Sequence, residues 1–332
     1  MTSGPLAGRT VAVTGADGFI GSHVVQQCLG AGAEVRALCM YNSQSSVGCL
    51  EDLQAPELDA VDTRFGDIRD PDSVTRFVDG ADVVLHLAAL IAIPYSYEAY
   101  RSFVDTNATG TLNVLEAVRR HGARMVHTST SEVYGTPDSV PIGTTHPLKA
   151  QSPYSATKIA ADKLCEAWAC SFGTPVAILR PFNTYGPRQS LRAVIPTLVA
   201  QLLKDAGTVR LGSLAPRRDF TFVEDTASAF AAAAAADLAP AEIVQLGSGH
   251  AVSIGELVET AGRVLGVTPR VVEDDERLRP ADSEVAVLLS DPTSARERLG
   301  WSATVLLEEG LWRTAEWIRP LLDRIDTERY HR

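Results

Sequence analysis

Short apolar, β-branched runs alternate with amphipathic stretches through the first half of this 332-residue chain. Residues 10–14, 34–40, 61–65, 83–87, 124–128 and 175–179 read as strands, and residues 18–31, 101–121 and 154–172 as helices. The strand segments do not alternate cleanly between apolar and polar positions, so both of their faces must be buried. That requires a mostly parallel sheet with helices on each side, which is the doubly wound α/β arrangement.

Beyond about Arg180 the rhythm changes. Prolines appear (Pro181, Pro187, Pro196, Pro216), loops lengthen, and residues 194–204, 225–236, 254–265 and 306–322 read as helices. We expect residues 1–180 to form a dinucleotide-binding domain that also carries the catalytic residues. Residues 181–332 would form mainly a smaller C-terminal substrate-binding cap, with some segments returning to the sheet. The acidic run at 273–276 reads as a solvated loop.

The formal net charge of −11 argues against a non-specific grip on nucleic acid or on an anionic membrane. No basic, apolar leader opens the chain and no run of about 18 apolar residues occurs, so a cytoplasmic, membrane-free protein is expected. The Ala-rich block at 227–236 reads as a buried helix. Cys28, Cys39, Cys49, Cys165 and Cys170 contain no C-x-x-C pair and read as small hydrophobes or inert thiols of a reducing compartment; no metal site is expected.

The stretch TGADGFIG, residues 14–21, follows the first strand and opens the first helix. Gly15, Gly18 and Gly21 would let the backbone turn tightly and approach a pyrophosphate at a helix N-terminus. This makes the sheet Rossmann-like. The acid that would hold the adenosine ribose should end the second strand, near Cys39, and none is there. Cys39, Met40 and Tyr41 also offer no arginine for a 2′-phosphate, so NAD is the expected cofactor, with NADP left open. Asp67, in GDIRD, is placed either to meet the adenine amino group or to serve as a turn residue.

Two segments carry chemistry: TSTSEVYG at 128–135 and YSATK at 154–158. Tyr154 and Lys158 stand at i and i+4 and share a helix face. A free tyrosine, with a pKa of about 10, is a poor base at neutral pH, and lowering it by about 3 units takes roughly 4 kcal/mol of differential stabilisation. A nearby ammonium and a cationic nicotinamide would supply this, so that the phenolate takes a proton from a sugar hydroxyl. Thr130 and Ser131 follow a strand end, where open α/β sheets bind ligands. Glu132 adds a carboxylate able to remove an acidic proton beside a ketone.

TGADGFIG, HLAA (86–89), TSTSEVYG, YSATK and RPFNTYGPR (180–188) together resemble an extended short-chain dehydrogenase/reductase acting on nucleotide sugars. The stretches CMYNS (39–43), IPYSY (93–97), QSPYSATKIAAD (151–162), PFNTYGPRQSLRAVIPT (181–197), LGSLAPRRDFTFVEDT (211–226) and RPADSEV (279–285) resemble NAD-dependent 4,6-dehydratases of the legionaminic acid pathway type. The resemblance implies that Tyr154 and Lys158 oxidise the sugar 4-hydroxyl. Glu132 then removes the carbon-5 proton, water leaves carbon 6, and hydride returns to carbon 6. Where many dehydratases carry an aspartate before the glutamate, this chain has Ser131, so Glu132 serves both proton steps or Ser131 relays one. By the same resemblance Phe19, Ile20, Ile68, Leu87, Ala88, Ala89 and Asn107 join the glycines and Asp67 around the cofactor. Asn183, Arg218 and Arg279 would face the substrate phosphates, and Arg192 would lie near the nucleotide pocket.

Between Arg180 and Phe220, seven basic residues face only Asp205 and Asp219, a cationic island suited to a diphosphate. A homodimer is expected, with Val114, Leu115, Val118, Leu164 and Trp168 as outward apolar positions pairing across a two-fold axis. Competing readings are a UDP-glucuronate decarboxylase, a 4-epimerase in which Glu132 would be idle, and a 5,6-dehydratase. A non-enzymatic NAD-binding scaffold would not need the intact Tyr154, Lys158 and Glu132 set.

Overall fold

The computed structural model describes residues 4–204, 207–278 and 283–327. The first half runs β1 (Thr10–Thr14), α1 (Phe19–Gly30), β2 (Glu34–Met40), β3 (Val61–Gly66), α2 (Pro71–Val78), β4 (Val83–His86), α3 (Gly110–His121), β5 (Arg124–Thr128), α4 (Pro153–Phe172) and β6 (Val176–Pro181). The second half adds β7 (Asn183–Tyr185), α5 (Val194–Lys204), β8 (Thr208–Leu211), β9 (Arg217–Phe222), α6 (Val223–Ala235), β10 (Ile243–Leu246), β11 (Ala251–Ser253), α7 (Ile254–Leu265), β12 (Arg270–Glu273), β13 (Val287–Leu288), α8 (Thr293–Leu299) and α9 (Leu307–Ile318).

Seven strands form one Rossmann-like sheet in the order β10-β6-β5-β4-β1-β2-β3, every neighbouring pair parallel. The period of two is visible on β1. Val11 and Val13 join the core shared with α1 and α6, whereas Ala12 joins the core shared with α2 and α3. The strand order reverses between β1 and β4, and the carboxyl ends there open the crevice that such sheets use for ligands.

Helix α4, which bears Tyr154 and Lys158, has firm ends. Ser152 caps it by accepting from the Ser155 N–H at 3.1 Å, Pro153 occupies its first turn, and Gly173 closes it with φ 65°. The predicted helix over 101–121 forms, with a π-helical turn inside it. A short turn at Tyr100–Phe103 leads into a π-helical turn at Val104–Thr109, and α3 begins only at Gly110. Asn107 accounts for the widened turn. Its buried amide accepts from the Leu90 N–H at 2.8 Å and donates to the Leu90 carbonyl at 2.9 Å and to Thr157 Oγ1 at 3.0 Å.

The second half holds more strands than its sequence predicted. β7, β9, β11 and β13 form one small sheet, and β8 pairs with β12 in another. Runs of two to six residues such as RRDFTF are too short to display a period. Segments of this half also cover the large sheet: α6 lies against α1, and β10 extends the sheet beside β6. Asp219, fully buried next to Arg218, accepts from the backbone N–H groups of Ser248, Gly249 and Ser290, tying β9 to the sheet end.

Val114, Leu115 and Val118 do not face outward. They are fully buried in the core beside α2, with Leu164 and Trp168 packed against them. An amphipathic pattern says that a helix has an apolar face, and here the molecule's own sheet takes it. Among the described residues no helix is long and apolar enough to cross a membrane. All five cysteines are free. Cys28, Cys39 and Cys165 are buried, whereas Cys170 is exposed on α4.

Candidate active site

A cleft of about 760 Å³ runs along the carboxyl ends of the strands. The glycine loop forms one wall and is shaped by close approach. Gly15 has φ 68°, and a Cβ there would come within 2.7 Å of the Ala88 nitrogen; a Cβ on Gly21 would overlap the Gly15 carbonyl. The amides at the start of α1 therefore reach the cleft with no side chain between, which fits a pyrophosphate on the helix N-terminus. Gly15, Gly18, Phe19, Ile20, Gly21, Asp67, Ile68, Leu87, Ala88 and Ala89 all line this cleft.

Asn107 does not line it. The amide that sequence reasoning assigned to the cofactor is spent on Leu90 and Thr157, so it shapes the Leu90 loop from behind. Asp67 lines the cleft but is already engaged. Its carboxylate takes the Arg69 guanidinium at 2.5 Å, a bond that holds it below the usual carboxylate range. Asp17, overlooked in the sequence although it lies inside the glycine loop, accepts from the Met40 N–H at 2.9 Å and fixes the end of β2. Arg69 and Lys158 are the basic residues lining this cleft among the described residues, and Arg69 is paired, so nothing there favours a 2′-phosphate.

Behind the loop, Thr14 and His86 form a chain whose proton positions follow from the partners. Thr111 Oγ1 donates to the Asn107 carbonyl and so accepts from His86 Nε2 at 3.0 Å; His86 Nδ1 then accepts from Thr14 Oγ1 at 2.8 Å. Burial, followed by the fields of His127 and Lys158, keeps His86 neutral.

The far end of the cleft gathers Thr128, Thr130, Glu132, Tyr154 and Lys158. Thr130 caps the 3₁₀ turn Ser131–Tyr134 by accepting from the Glu132 N–H at 3.2 Å, which presents Glu132 to the cleft. Tyr154 is buried edge-on against Phe103, with ring centroids 6.3 Å apart. Burial pushes its phenol above the ordinary tyrosine value, Glu132 and Asp162 push the same way, and a hydrogen bond with Thr130 opposes them. The Lys158 ammonium donates to the Thr128 carbonyl at 2.6 Å. Burial pulls Lys158 down to about 8, against Asp162 and Cys165, which raise it. Ser131 is buried and lies outside the cleft lining.

A second chamber of about 300 Å³ adjoins the first, with Asn183, Thr184, Gln189 and Ala193 lining both. Asn183 Oδ1 and Gln189 Oε1 are buried there without a hydrogen-bond partner among the described residues, as is Thr128 Oγ1 in the main cleft. Unsatisfied buried acceptors at one junction fit a ligand rich in hydroxyl donors. Arg192 and Arg218 line the chamber, Arg192 exposed and Arg218 buried with its guanidinium on Glu284 at 2.7 Å. Arg279 lies outside the described residues.

The rest of the cationic island serves elsewhere. Arg180 pairs with Asp162, Arg188 with Asp52, and Arg217 with Glu256. Gln189 and Arg277, both lining the chamber, were missed; Gln189 lay in a quoted motif, and Arg277 stands beside an acidic run that masked it.

Residues 12–314 match the family described as GDP-mannose 4,6 dehydratase. The chain is 31% identical to a dTDP-glucose 4,6-dehydratase of Mycolicibacterium smegmatis, covering 95% of this chain and 97% of that one. It is 33% identical to a UDP-glucose 4-epimerase of the same organism, covering 92% and 97%. A dTDP-glucose 4,6-dehydratase from Streptomyces venezuelae, solved with NAD bound, superimposes with a TM-score of 0.80 at 31% identity, covering 93% of this chain and 96% of that one.

Proposed function

The chain belongs to the GDP-mannose 4,6 dehydratase family, among the NAD-dependent nucleotide-sugar dehydratases and epimerases, and on that premise we propose that it is a 4,6-dehydratase of a nucleotide-linked N-acetylhexosamine. The observation that carries this reading is Glu132. A carboxylate lines the same cleft as Tyr154 and Lys158, on a turn built to present it, and a 4-epimerase has no use for a base at carbon 5. The sequence resemblance to the legionaminic acid pathway type supports the choice of an aminosugar.

The cofactor is NAD, which when bound accepts a hydride and returns it. Tyr154 takes the proton of the sugar 4-hydroxyl, and Thr130 holds the phenolic oxygen in place. Lys158 anchors the strand end through the Thr128 carbonyl and brings a positive charge into the cleft that Tyr154 lines. Glu132 removes the carbon-5 proton made acidic by the 4-ketone. The burial of Ser131 outside the cleft lining supports Glu132 as the carrier of that proton to the departing carbon-6 hydroxyl as well. Asn183 and Gln189 hold the sugar at the junction of the two chambers, and Arg192 and Arg218 in the second chamber hold its diphosphate.

The test is product mass after separate incubations with UDP-N-acetylglucosamine, GDP-N-acetylglucosamine and UDP-glucuronate. Loss of one water is expected. Loss of carbon dioxide from a uronate would indicate a decarboxylase, and an unchanged mass with carbon 4 inverted an epimerase.

We also propose a homodimer, through the exposed side of α4 and the turn before α3, where Ala156, Ala160, Ala167, Phe172 and Val104 face solvent. Light scattering at micromolar concentration is expected to read a dimer for the native chain and a monomer for Ala160→Arg. A native monomer would refute the proposal.

A further inference from the structure

We propose that Asp162 is a positioning residue for the redox step: from one turn past Lys158 it fixes the strand end that seats the Lys158 ammonium, and through Arg180 it fixes the turn that carries Glu132. The inference rests on the reading of Tyr154 and Lys158 as the redox pair. It does not depend on whether elimination follows.

Tyr154, Lys158 and Asp162 stand at i, i+4 and i+8 on α4 and so share one face. Asp162 is fully buried, and its Oδ2 gathers three donors: Ser129 Oγ at 2.8 Å and Arg180 Nε and Nη2 at 3.2 and 2.9 Å. Ser129 follows Thr128, whose carbonyl receives the Lys158 ammonium. The carboxylate and the ammonium thus grip adjacent residues of one strand end. Arg180 in turn donates to Tyr134 Oη at 2.8 Å, and Tyr134 ends the 3₁₀ turn that presents Glu132. The Gln245 side-chain amide meets the same hydroxyl at 2.5 Å from β10. One buried carboxylate therefore connects both proton-handling groups of the site, across β5, α4, β6 and β10.

Stability alone is a poor explanation for this cluster. Replacing a buried ion pair by apolar side chains of similar volume is often neutral or better, so a fully buried Asp–Arg pair is weak evidence of a stabilising role.

The titratable and charged groups around Lys158 and Asp162 are Tyr154 and Cys165 on α4, His86 on β4, His127 on β5, Arg180 on β6, and Glu132 and Tyr134 on their turn. Burial lowers His127 to about 4, so both histidines are neutral and the 3.5 Å approach of His127 to Asp162 Oδ1 carries no second charge. Burial raises the Cys165 thiol. Burial also works against the Asp162 carboxylate, but His127, Arg180 and Ser129 together hold it below the usual range. Asp162 is therefore the buried anion that keeps the Lys158 ammonium charged.

The experiment is Asp162→Asn in the full chain, read by kcat, KM, the pH profile of kcat and the melting temperature. We expect kcat to fall roughly tenfold or more while KM and NAD affinity change by less than about threefold, since the charge that holds Ser129 and Arg180 in place is lost and no ligand contact is. Lys158 must keep its proton to act, and it would lose its one raising carboxylate. The alkaline limb of the profile therefore moves to lower pH than in the native enzyme. Asp162→Glu, which keeps the charge, should restore that limb.

A lower melting temperature with native kcat and an unmoved limb would make the cluster purely structural and overturn the proposal. Should Asp162→Asn fail to fold, Ser129→Ala decides. A fall in kcat of about threefold or more at unchanged KM supports the proposal, and native kcat overturns it. Tyr154→Phe, run in parallel, separates the two failures. A fully active Tyr154→Phe refutes the redox pair itself, whereas an inactive one beside a native-like Asp162→Asn refutes only the positioning role.

Discussion

Replacing Tyr154 by phenylalanine is expected to lower kcat by about a thousandfold and to leave KM within a fewfold of native, the pattern for loss of a group that moves a proton in the transition state. The substitution removes one oxygen. The ring stays, edge-on to Phe103, and α4 keeps its Ser152 cap, so the fold and the cofactor cleft should survive. The physical demand on this phenol is large. In the cofactor-free protein burial holds it above the ordinary tyrosine value, and Glu132 and Asp162 add to that. The positive nicotinamide and the charge of Lys158 must overcome all three before the phenolate exists near neutral pH. Steady-state turnover alongside an NAD titration checks the prediction, and activity within tenfold of native would remove Tyr154 from the role of base.

Glu132→Gln is the second large effect, and it divides the reaction. Dehydration is expected to fall by about a thousandfold, because the amide cannot accept the carbon-5 proton. Reduction of bound NAD by substrate should persist, since Thr130, Tyr154 and Lys158 are untouched and the Thr130 cap uses the Glu132 backbone N–H. The sign of the pH effect also follows. Glu132 raises the Tyr154 pKa, so removing its charge lowers that value and shifts the acid limb of the oxidation step to lower pH. Rapid-mixing absorbance of the reduced cofactor, together with product mass, reads both halves. Dehydration near the native rate would show that another group removes the proton.

The parts of the molecule that were legible in the sequence are those whose signals are local. β1, β2, β5, α5 and α7 lie where their composition put them, because a buried parallel strand or a capped amphipathic helix is written within a dozen residues. The Tyr154 and Lys158 pair was legible for the same reason, as i and i+4 on one helix. Asn107 was not, since its role depends on a π turn that brings it beside Leu90 and Thr157, and no period of 3.6 announces that turn. Val114, Leu115 and Val118 were misplaced because an apolar face is equally suited to a partner subunit and to the chain's own sheet. The cationic island was half illusion. Arg180 and Arg188 satisfy internal acids, while Arg192 and Arg218 line the chamber expected to take the diphosphate.

The central claim is that oxidation at carbon 4 is followed by elimination and not by simple return of the hydride. It is tested most directly with a nucleotide N-acetylhexosamine bearing deuterium at carbon 4, its product read by mass and by magnetic resonance. The account predicts a product lighter by one water with the deuterium at carbon 6. A product of unchanged composition with the deuterium at an inverted carbon 4 would contradict it and make the enzyme an epimerase.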